Sequence, residues 1–569
     1  MQLHKPQKTS EWNFAKGIAA DFKYFFSRKL FAVALVGVML LSYITLLMNP
    51  TVGVDDTSFK LYYIDGVSPA MGRWCLYMIE KILPLDYNPY FVEAVGLLLF
   101  CASVTLWTIV FFRLLGDRIP LVVYTLFACT MISNPIISEV VVWYVQDGIY
   151  LGYGVTALAV LALLEAFRQE HGTGKSVCYL LFSAVLLSVA LGFYEAFMIV
   201  YLMAAVMIFF LIHVLEQKTF TGKPLTWVWK MGCICVAGML FRSVWINSIT
   251  AVFHLQDQAQ VLESRGLSDI AGLFLGWFDG TRDGDAFGLV LKEFFVKYTI
   301  HGIVYLPVLL LVLAELVLLA GGVVWTVQRK DGWILAAVFG ILLLPWGMPV
   351  LEGSATYYRS SQYVPLLTAF AVLLAGYGLY RKKHSRILRS VCLVLALFLL
   401  YRQSYEMNKW LLIDANKYED DKRVLTALGL ELMATCDTAK PICVIGNRET
   451  PKTLLEDVYC PRWSKKYELV KLLTCAVDER IFEKYDTEDG YAVAETPQLS
   501  FINWANKAYY GFDRELIKFW NMHGFDFVED GNMYHYEQGK KLMKDGPVWP
   551  QQGSIVEREK YILVNFGNF

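Results

Sequence analysis

The sequence predicts an all-α polytopic membrane protein with about 11 transmembrane helices, followed by a small extracytoplasmic α/β C-terminal domain. Of its 569 residues, 56% are hydrophobic and only 18% are charged, whereas soluble domains carry about 25% charged residues. Apolar runs near the length of about 20 residues that a helix needs to cross a bilayer recur along the chain. After residue 401 the pattern changes to that of a soluble domain.

Eleven apolar segments approach the length of a membrane span. They lie at 30–48, 91–115, 119–133, 149–167, 177–191, 196–215, 231–249, 303–327, 333–350, 363–380 and 387–401. The third, fifth and eleventh are short for a span. The first is too long for the apolar part of a cleaved signal peptide and no small-residue cleavage site follows it, so we expect it to remain as a signal anchor.

The distribution of Lys and Arg predicts the orientation. If the N-terminus is cytoplasmic, every inner loop is basic, including the run RKKHSR at 381–386, and the outer loops at 134–148 and 192–195 contain no Lys or Arg. Basic loops stay inside. The predicted division is a cytoplasmic segment at 1–29, a transmembrane domain at 30–401 with outer loops at 49–90 and 250–302, and an extracytoplasmic domain at 402–569.

The polar C-terminal part has the patterns of a small α/β domain. The stretch KYEDDKRVLTALGLELMATC at 417–436 has the periodicity of an amphipathic helix. The stretch KPICVIGN at 440–447 is a short, β-branched run that ends in Gly-Asn, which is typical of a buried strand. About 150 residues is an ordinary size for one domain.

Two adjacent carboxylates, Asp55 and Asp56, come directly after the first predicted span. Charged residues at the end of a span also serve simply as solvated caps, so the pair is not diagnostic alone. In the following PAMGRWCLYMIEKIL at 69–83, apolar residues recur at steps of three and four, which draws one apolar helix face. Those residues are Met71, Trp74, Cys75, Met78 and Ile82.

The other face of this predicted helix carries Arg73, Tyr77 and Glu80. We expect the helix to rest in the membrane interface and to hold Arg73 at headgroup level. This arrangement suits the transfer of a sugar from a polyprenyl phosphate. Such a reaction needs a carboxylate as general base, for which Asp55 or Asp56 is the candidate, and cations for the departing phosphate. The Arg73 guanidinium would bind that phosphate with a bidentate fork.

Several motifs occur in the order found in one known family. They are VDD, SPAMGRW, SNPIISEVVVWYVQDGIYLGYGVTALAVLALL, LGFYEAFMIVYL and YYRSSQYVP, followed in the tail by FINWANKAYYGFDRELIKFWNMHGFDF. In this order the chain resembles the serotype-converting, Gtr-type O-antigen glucosyltransferases, which have the GT-C membrane fold. The resemblance runs from about residue 30 to 430 and implies a polyprenyl-phosphate sugar donor and a surface or lipid-linked glycan acceptor.

The resemblance also implies a set of site residues. The matching positions are Asp55, Asp56, Arg73, Asn134 with Pro135, Glu139 and Tyr194. Two positions depart from the family: Glu195 stands where glutamine is expected, and Trp74 where proline is common after the arginine. These departures bear on the identity of the sugar and the acceptor more than on the type of reaction.

Each of these positions also has a structural interpretation. Asn134 with Pro135 is equally a turn that ends the third span, and Glu139 could be a solvated acid in the first turn of a helix. Glu195 lies in a very short outer loop, where an ionised acid is tolerated. Arg359, beside two tyrosines in another outer loop, is either an interfacial anchor or a second phosphate-binding cation.

Two charged residues, Arg242 and Glu315, fall near the middle of predicted spans. An isolated charge there costs about 3 kcal/mol or more. The seventh and eighth spans are sequential and antiparallel, so the sequence favours a buried ion pair between the two residues. The alternative is that they line a polar donor cavity.

The sequence therefore predicts a glycosyltransferase in a bacterial cytoplasmic membrane, with the N-terminus inside and the active site outside. Arginines can stabilise a lipid monophosphate, so no cofactor is required, although the acidic pair could also hold a divalent cation. The partners are the lipid-linked donor, the glycan acceptor and membrane lipids, and a net charge of −1 gives no field that favours nucleic acid. The alternatives are a flippase for a lipid-linked saccharide, which should show repeated halves, and an O-antigen polymerase.

Overall fold

The computed structural model describes residues 14–49, 51, 67–82, 89–141, 148–220, 223–255, 308–347, 360–381, 386–448, 450–451, 502 and 514–567. Helices dominate this part of the chain. They are α1 Phe14–Phe26, α2 Lys29–Met48, α3 Val67–Ala70, α4 Trp74–Ile82, α5 Pro89–Leu115, α6 Leu121–Ile132, α7 Ser138–Val141, α8 Ile149–Ala166, α9 Thr173–Phe193, α10 Phe197–Leu215, α11 Pro224–Val252, α12 Val308–Arg329, α13 Gly332–Leu343, α14 Val364–Arg381, α15 Arg386–Thr435, α16 Arg514–Met522 and α17 Met533–Leu542. Short 3₁₀ turns span Gly116–Arg118, Pro135–Ile137 and Leu344–Trp346, and the strands are β1 Ile442–Ile445, β2 Ile555–Glu557 and β3 Ile562–Asn565.

Each of the predicted apolar segments overlaps one of these helices. By length and composition, 8 helices in the described residues are able to cross a membrane. The fifth segment, predicted to be short, is a helix of 21 residues, α9. The third and ninth segments form shorter helices, α6 and α13, of 12 residues each.

The helices pack into one bundle whose interior is apolar and aromatic. Helix α8 packs against α5, α9 and α10, and α14 packs against α6 and α12. Trp107, Tyr153 and Tyr201 are among the largest fully buried side chains. A helix that is buried around most of its circumference can be apolar on all sides. This explains why α8 and α10 show no polar face in the sequence.

The two ends of the bundle differ in chemistry. One end, called the charged end here, contains ion pairs: Arg113 Nε donates to Asp21 Oδ2 at 2.9 Å, and His213 Nδ1 lies 2.5 Å from Asp331 Oδ2. At the other end, called the site end, Tyr153 donates from its hydroxyl to Gln362 Oε1 at 2.6 Å. Because successive helices run in opposite directions, the loops that join them alternate between these two ends.

Helix α15 is a single helix of 50 residues, Arg386–Thr435. It contains the last predicted span and most of the amphipathic stretch at 417–436, and it continues without a break through the predicted domain boundary at 401/402. A ladder of polar contacts joins α2 to α15: Ser42 Oγ lies 2.8 Å from Ser404 Oγ, and Thr45 Oγ1 donates to Asn408 Oδ1 at 2.7 Å.

The same ladder reaches beyond the end of α2. Thr51 Oγ1 donates to Asp414 Oδ2 at 2.5 Å. Thr51 precedes Asp55 by four residues. The start of the segment that carries the acidic pair is therefore attached to α15.

The C-terminal part contains a three-stranded sheet with the order β1-β3-β2. Strand β1, which the stretch KPICVIGN predicts, is parallel to β3 with Ile442 opposite Ile562, and β2 is antiparallel to β3. The end of α15 packs on this unit, where Trp520 Nε1 donates to the Leu425 carbonyl at 2.6 Å. Because α15 belongs to both the bundle and this α/β unit, the separate domain at 402–569 stays a prediction.

Candidate functional site

The structure describes part of the predicted site. Asp55, Asp56 and Arg359 lie outside the described residues, and of Glu139 only the backbone, in α7, is described. The other predicted residues, Arg73, Asn134, Tyr194 and Glu195, are described with their side chains. Three of these four meet at the site end of the bundle.

Arg73 lies in a turn between α3 and α4. The Gly72 amide donates to the Pro69 carbonyl at 2.9 Å, and the Arg73 amide donates to the Ser68 carbonyl at 2.8 Å. Gly72 has φ of +83°, which is a left-handed conformation that glycine adopts without steric cost. The turn interrupts the single helix that the sequence predicts across 69–83, and α4 begins only at Trp74.

Helix α4 packs against the end of α9. A Cβ on Gly192 would lie 2.5 Å from Trp74 Nε1 and 2.8 Å from Cys75 Sγ, so only glycine permits this approach without rearrangement. The Trp74 ring also stacks on Trp245 of α11, with centroids 5.4 Å apart. Trp74 is thereby buried between two helices of the bundle.

The sequence assigns some residues of α4 to the wrong face. Tyr77, predicted to share a polar face with Arg73, is buried, and its ring lies 5.4 Å from that of Phe253. Ile82, predicted on the apolar face, is exposed. Helical periodicity identifies faces only within one helix, and the break at Gly72 moves Arg73 off the helix.

Arg73 makes contacts with both predicted residues of the 192–195 loop. Its Nε lies 3.9 Å from Glu195 Oε2, and its Cζ lies 5.0 Å from the centroid of the Tyr194 ring. The Tyr194 hydroxyl lies 3.2 Å from Ser360 Oγ, and Ser360 follows Arg359 in the sequence. Residues that are far apart in the chain therefore form one cluster around Arg73.

Arg242 of α11 completes this cluster. Its guanidinium lies directly over Gly72, because a Cβ on Gly72 would lie 1.7 Å from Arg242 Nη2. The charged groups that interact with Arg242 are Glu195 and Arg73. We call Arg73, Tyr194, Glu195 and Arg242 the arginine cluster.

The predicted ion pair between Arg242 and Glu315 is wrong, because no ion pair joins these residues within the described part of the chain. The sequence placed Arg242 at mid-depth of a 19-residue span. Helix α11 is longer, at 29 residues, and Arg242 lies about 15 Å from its C-terminal end. The alternative interpretation, a polar lining at the site, agrees with the observed position.

The arginine cluster has the chemistry of an anion-binding site. It carries two guanidinium groups and one carboxylate, and the Arg73 side chain is only 12% exposed. Three buried atoms of the cluster have no hydrogen-bond partner among the described residues: Arg73 Nε, Glu195 Oε2 and Arg242 Nε. Buried polar atoms normally have partners, so several such atoms together indicate a place for an external polar group. Paired guanidinium groups suit a phosphate in particular.

Asn134 lies outside the arginine cluster. It is fully buried, its Oδ1 accepts from the Ile136 amide at 3.2 Å, and its Nδ2 donates to Thr368 Oγ1 at 3.1 Å. These contacts belong to the turn that follows α6, which is the structural interpretation of the Asn-Pro motif. A function for Asn134 stays a prediction.

The raised pKa of Glu80 was not predicted from the sequence. Glu80 lies on α4, and burial raises the pKa of its carboxyl to about 7. A carboxyl with such a pKa exchanges its proton near neutral pH. One feature of the sequence could have indicated this raised pKa: Glu80 lies on a short helix among apolar residues.

No group of three His, Cys, Asp or Glu side chains within the described ranges could hold a metal ion. Asp55 and Asp56 were not part of these ranges. The prediction that the reaction needs no cofactor, and the alternative of a divalent cation at the acidic pair, therefore stay predictions.

The fold and the cluster together define a class of protein. A bundle with several helices long and apolar enough to cross a bilayer is that of a polytopic membrane protein, and Arg73 and Arg242 lie together at one of its ends. Residues 44–376 match the family model described as Glucosyl transferase GtrII, a segment that contains the whole arginine cluster. The chain belongs to this family of glucosyltransferases and is a membrane glycosyltransferase, which confirms the family resemblance and sets aside the flippase.

Among solved structures, the chain is similar to the Archaeoglobus fulgidus oligosaccharyltransferase, crystallised with a disulfide-tethered acceptor peptide that contains an NVT sequon. The two share 14% sequence identity with a TM-score of 0.39, over 79% of this chain and 64% of that chain. The chain thus matches less than two thirds of the length of that protein. No curated protein matches the chain.

Replacement of Gly72 tests the geometry of the arginine cluster. We expect Gly72→Ala to lower glycosyl transfer by about tenfold, because the new methyl group displaces the Arg242 guanidinium and small misplacements are costly in catalysis. Gly116→Ala is the matched control: Gly116 also has positive φ, of +53°, but its Cβ would meet nothing within 4 Å. Transfer would be measured at equal protein abundance. Equal activity of the two variants would contradict the assigned geometry.

Proposed function

We propose that the enzyme transfers glucose from polyprenyl phosphate glucose to a bacterial surface glycan such as O-antigen, or to its lipid-linked precursor. The observation that carries this proposal is the pairing of Arg73 with Arg242 at the site end of the bundle. The arrangement belongs to a GT-C-type enzyme that acts on the outer face of the cytoplasmic membrane.

The position of the arginine cluster supports a lipid-linked donor. Arg242 projects from α11, a helix able to cross a membrane, whereas Arg73 projects from the short turn beside it. A ligand at both residues has its charged group at the end of the bundle, where a lipid tail can remain among the helices. Guanidinium groups there would stabilise the charge that develops on the departing phosphate.

The acidic pair supplies the second part of the mechanism. Asp55 or Asp56 acts as general base and accepts a proton from the acceptor hydroxyl as this hydroxyl attacks the anomeric carbon. Thr51, four residues before Asp55, is hydrogen-bonded to Asp414 of α15. Two arginines on a monophosphate make a metal ion unnecessary, and a divalent cation at the acidic pair is the alternative.

The distribution of charge supports an outward-facing site. The basic residues of the inner loops, such as Arg113, Lys230 and Arg329, belong to the charged end of the bundle. Basic loops remain in the cytoplasm. The arginine cluster lies at the opposite end, so we assign it and the C-terminal α/β unit to the outside, with the N-terminus inside.

The choice of donor provides the test. The full-length protein in lipid nanodiscs would receive radiolabelled polyprenyl phosphate glucose together with the lipid-linked glycans extracted from the membranes that contain it. We expect label to pass to the glycan and polyprenyl phosphate to be released. UDP-glucose in place of the lipid should give no labelled glycan. Direct transfer from UDP-glucose would contradict the proposal.

A further inference from the structure

Two polar side chains of α15, Gln403 and Glu406, are completely buried at the site end of the bundle. Each has 0% exposed surface. They are three residues apart, so they lie on the same face of the helix, about 5 to 6 Å from each other at their Cβ atoms. The sequence did not indicate either residue as a candidate. Both come just after the last predicted span, where polar side chains are expected to face water.

Each side chain uses one of its polar atoms in a contact that orients it. Gln403 Oε1 lies 3.0 Å from Ser133 Oγ, at the end of α6. Glu406 Oε1 is hydrogen-bonded to Arg402 Nη2 of the preceding turn. These contacts hold both side chains in place before any ligand binds.

The other polar atom of each side chain has no hydrogen-bond partner among the residues described. These atoms are Gln403 Nε2 and Glu406 Oε2. A buried polar atom is costly to leave unpaired. Two oriented side chains that each present such an atom from one helix face have the form of a binding site.

The surroundings connect this face of α15 with the predicted active site. Helix α15 packs against Pro135–Ile137 and α7 of the second outer loop, and also against α2. Beyond α2, Thr51 binds Asp414 of α15, four residues before Asp55. Two segments that the family resemblance assigns to the site, those that follow α2 and α6, thus contact α15 near their first residues.

The chemistry of the pair favours a hydroxyl group as the ligand. The free Glu406 oxygen can accept a hydrogen bond, the free Gln403 Nε2 donates one, and a hydroxyl can do both. Glu406 interacts with two cations of the same helix, Arg402 and Lys409, so a neutral hydroxyl suits its remaining oxygen without requiring a further charge. One carboxylate without a second acid is also a poor metal site.

We propose that Gln403 and Glu406 together bind one hydroxyl group of a hexose, in the donor or in the acceptor, and so form a sugar-selecting subsite. This inference rests on the proposed function. It assigns to α15 a part in substrate recognition, separate from the phosphate-binding arginine cluster.

Gln403→Met tests the subsite, because methionine keeps the length of the side chain and removes its amide. KM would be measured separately for polyprenyl phosphate glucose and for the extracted lipid-linked glycan. We expect about a tenfold rise in KM for one of the two substrates, with kcat within about twofold of wild type, as for the loss of one hydrogen bond to a substrate. The substrate whose KM rises is the one that carries the hydroxyl.

Ser404→Ala is the matched control, since Ser404 contacts Ser42 of α2 from a different face of α15. Gln403→Asn, which keeps the amide but shortens its reach, replaces Gln403→Met if the methionine variant fails to insert. Unchanged KM values for both substrates in a well-inserted variant overturn the inference. Absence of transfer from the lipid donor by the wild-type protein would instead refute the proposed function.

Discussion

Asp55→Asn and Asp56→Asn should each leave the protein inserted, and at least one of them should lower transfer by a factor of about 10² to 10⁴, the contribution of a positioned general base. Asparagine has nearly the shape of aspartate but cannot take up the proton of the acceptor hydroxyl. Because both acids are predicted to face water, their loss should not affect folding.

The measurement is glucose transfer from polyprenyl phosphate glucose in membranes with matched amounts of each variant. Asp117→Asn is a suitable control, because Asp117 is an exposed acid at the charged end of the bundle. If both single variants and the double variant transfer glucose at the wild-type rate, neither residue is the base.

The second large effect is expected for Arg73→Lys, which should lower transfer by about 100-fold. In other enzymes, a loss of about this size follows the removal of one hydrogen-bond donor that stabilises the charge developing in the transition state. Lysine keeps the positive charge but offers a point charge in place of the planar fork. If Arg73 only anchors the turn at the membrane surface, lysine should replace it with little effect. The variant therefore separates phosphate binding from anchoring.

Donor consumption at equal abundance is the appropriate readout for Arg73→Lys, with Arg118→Lys at the charged end as control. Arg242→Lys should show a loss of similar size if the two guanidinium groups share one phosphate. Normal turnover by Arg73→Lys would leave Arg73 as an interfacial anchor and would remove the main support for a lipid phosphate donor.

The membrane helices could be predicted from the sequence because a span needs a long apolar run, and this signal is local. The break in the helix at Gly72 was harder to predict from the sequence. A glycine within an amphipathic pattern is compatible with a continuous helix, and only the contact with Arg242 shows why the chain turns there. The helix predicted across 69–83 therefore begins only at Trp74, and its predicted faces are partly wrong.

The site could be predicted only as separate pieces. The resemblance identified Arg73, Tyr194 and Glu195 one by one, but their contact depends on how α4 packs against α9 and α11. Arg242 was assigned to a different partner for the same reason, since pairing between helices is not encoded in the periodicity of either helix. Gln403 and Glu406 resemble the start of a soluble tail, and only the structure shows that both side chains are buried and that Gln403 contacts Ser133 at the end of α6.

The continuity of α15 limits how the length of this protein can change. A rod of 50 residues extends for about 75 Å, and each added residue rotates everything beyond it by about 100°. One inserted residue near 416 would turn the sheet away from its present direction relative to the bundle, whereas an insertion in a surface loop would be absorbed locally. We therefore expect natural variation in length to avoid this helix, or to occur in it only as nearly whole turns of three or four residues.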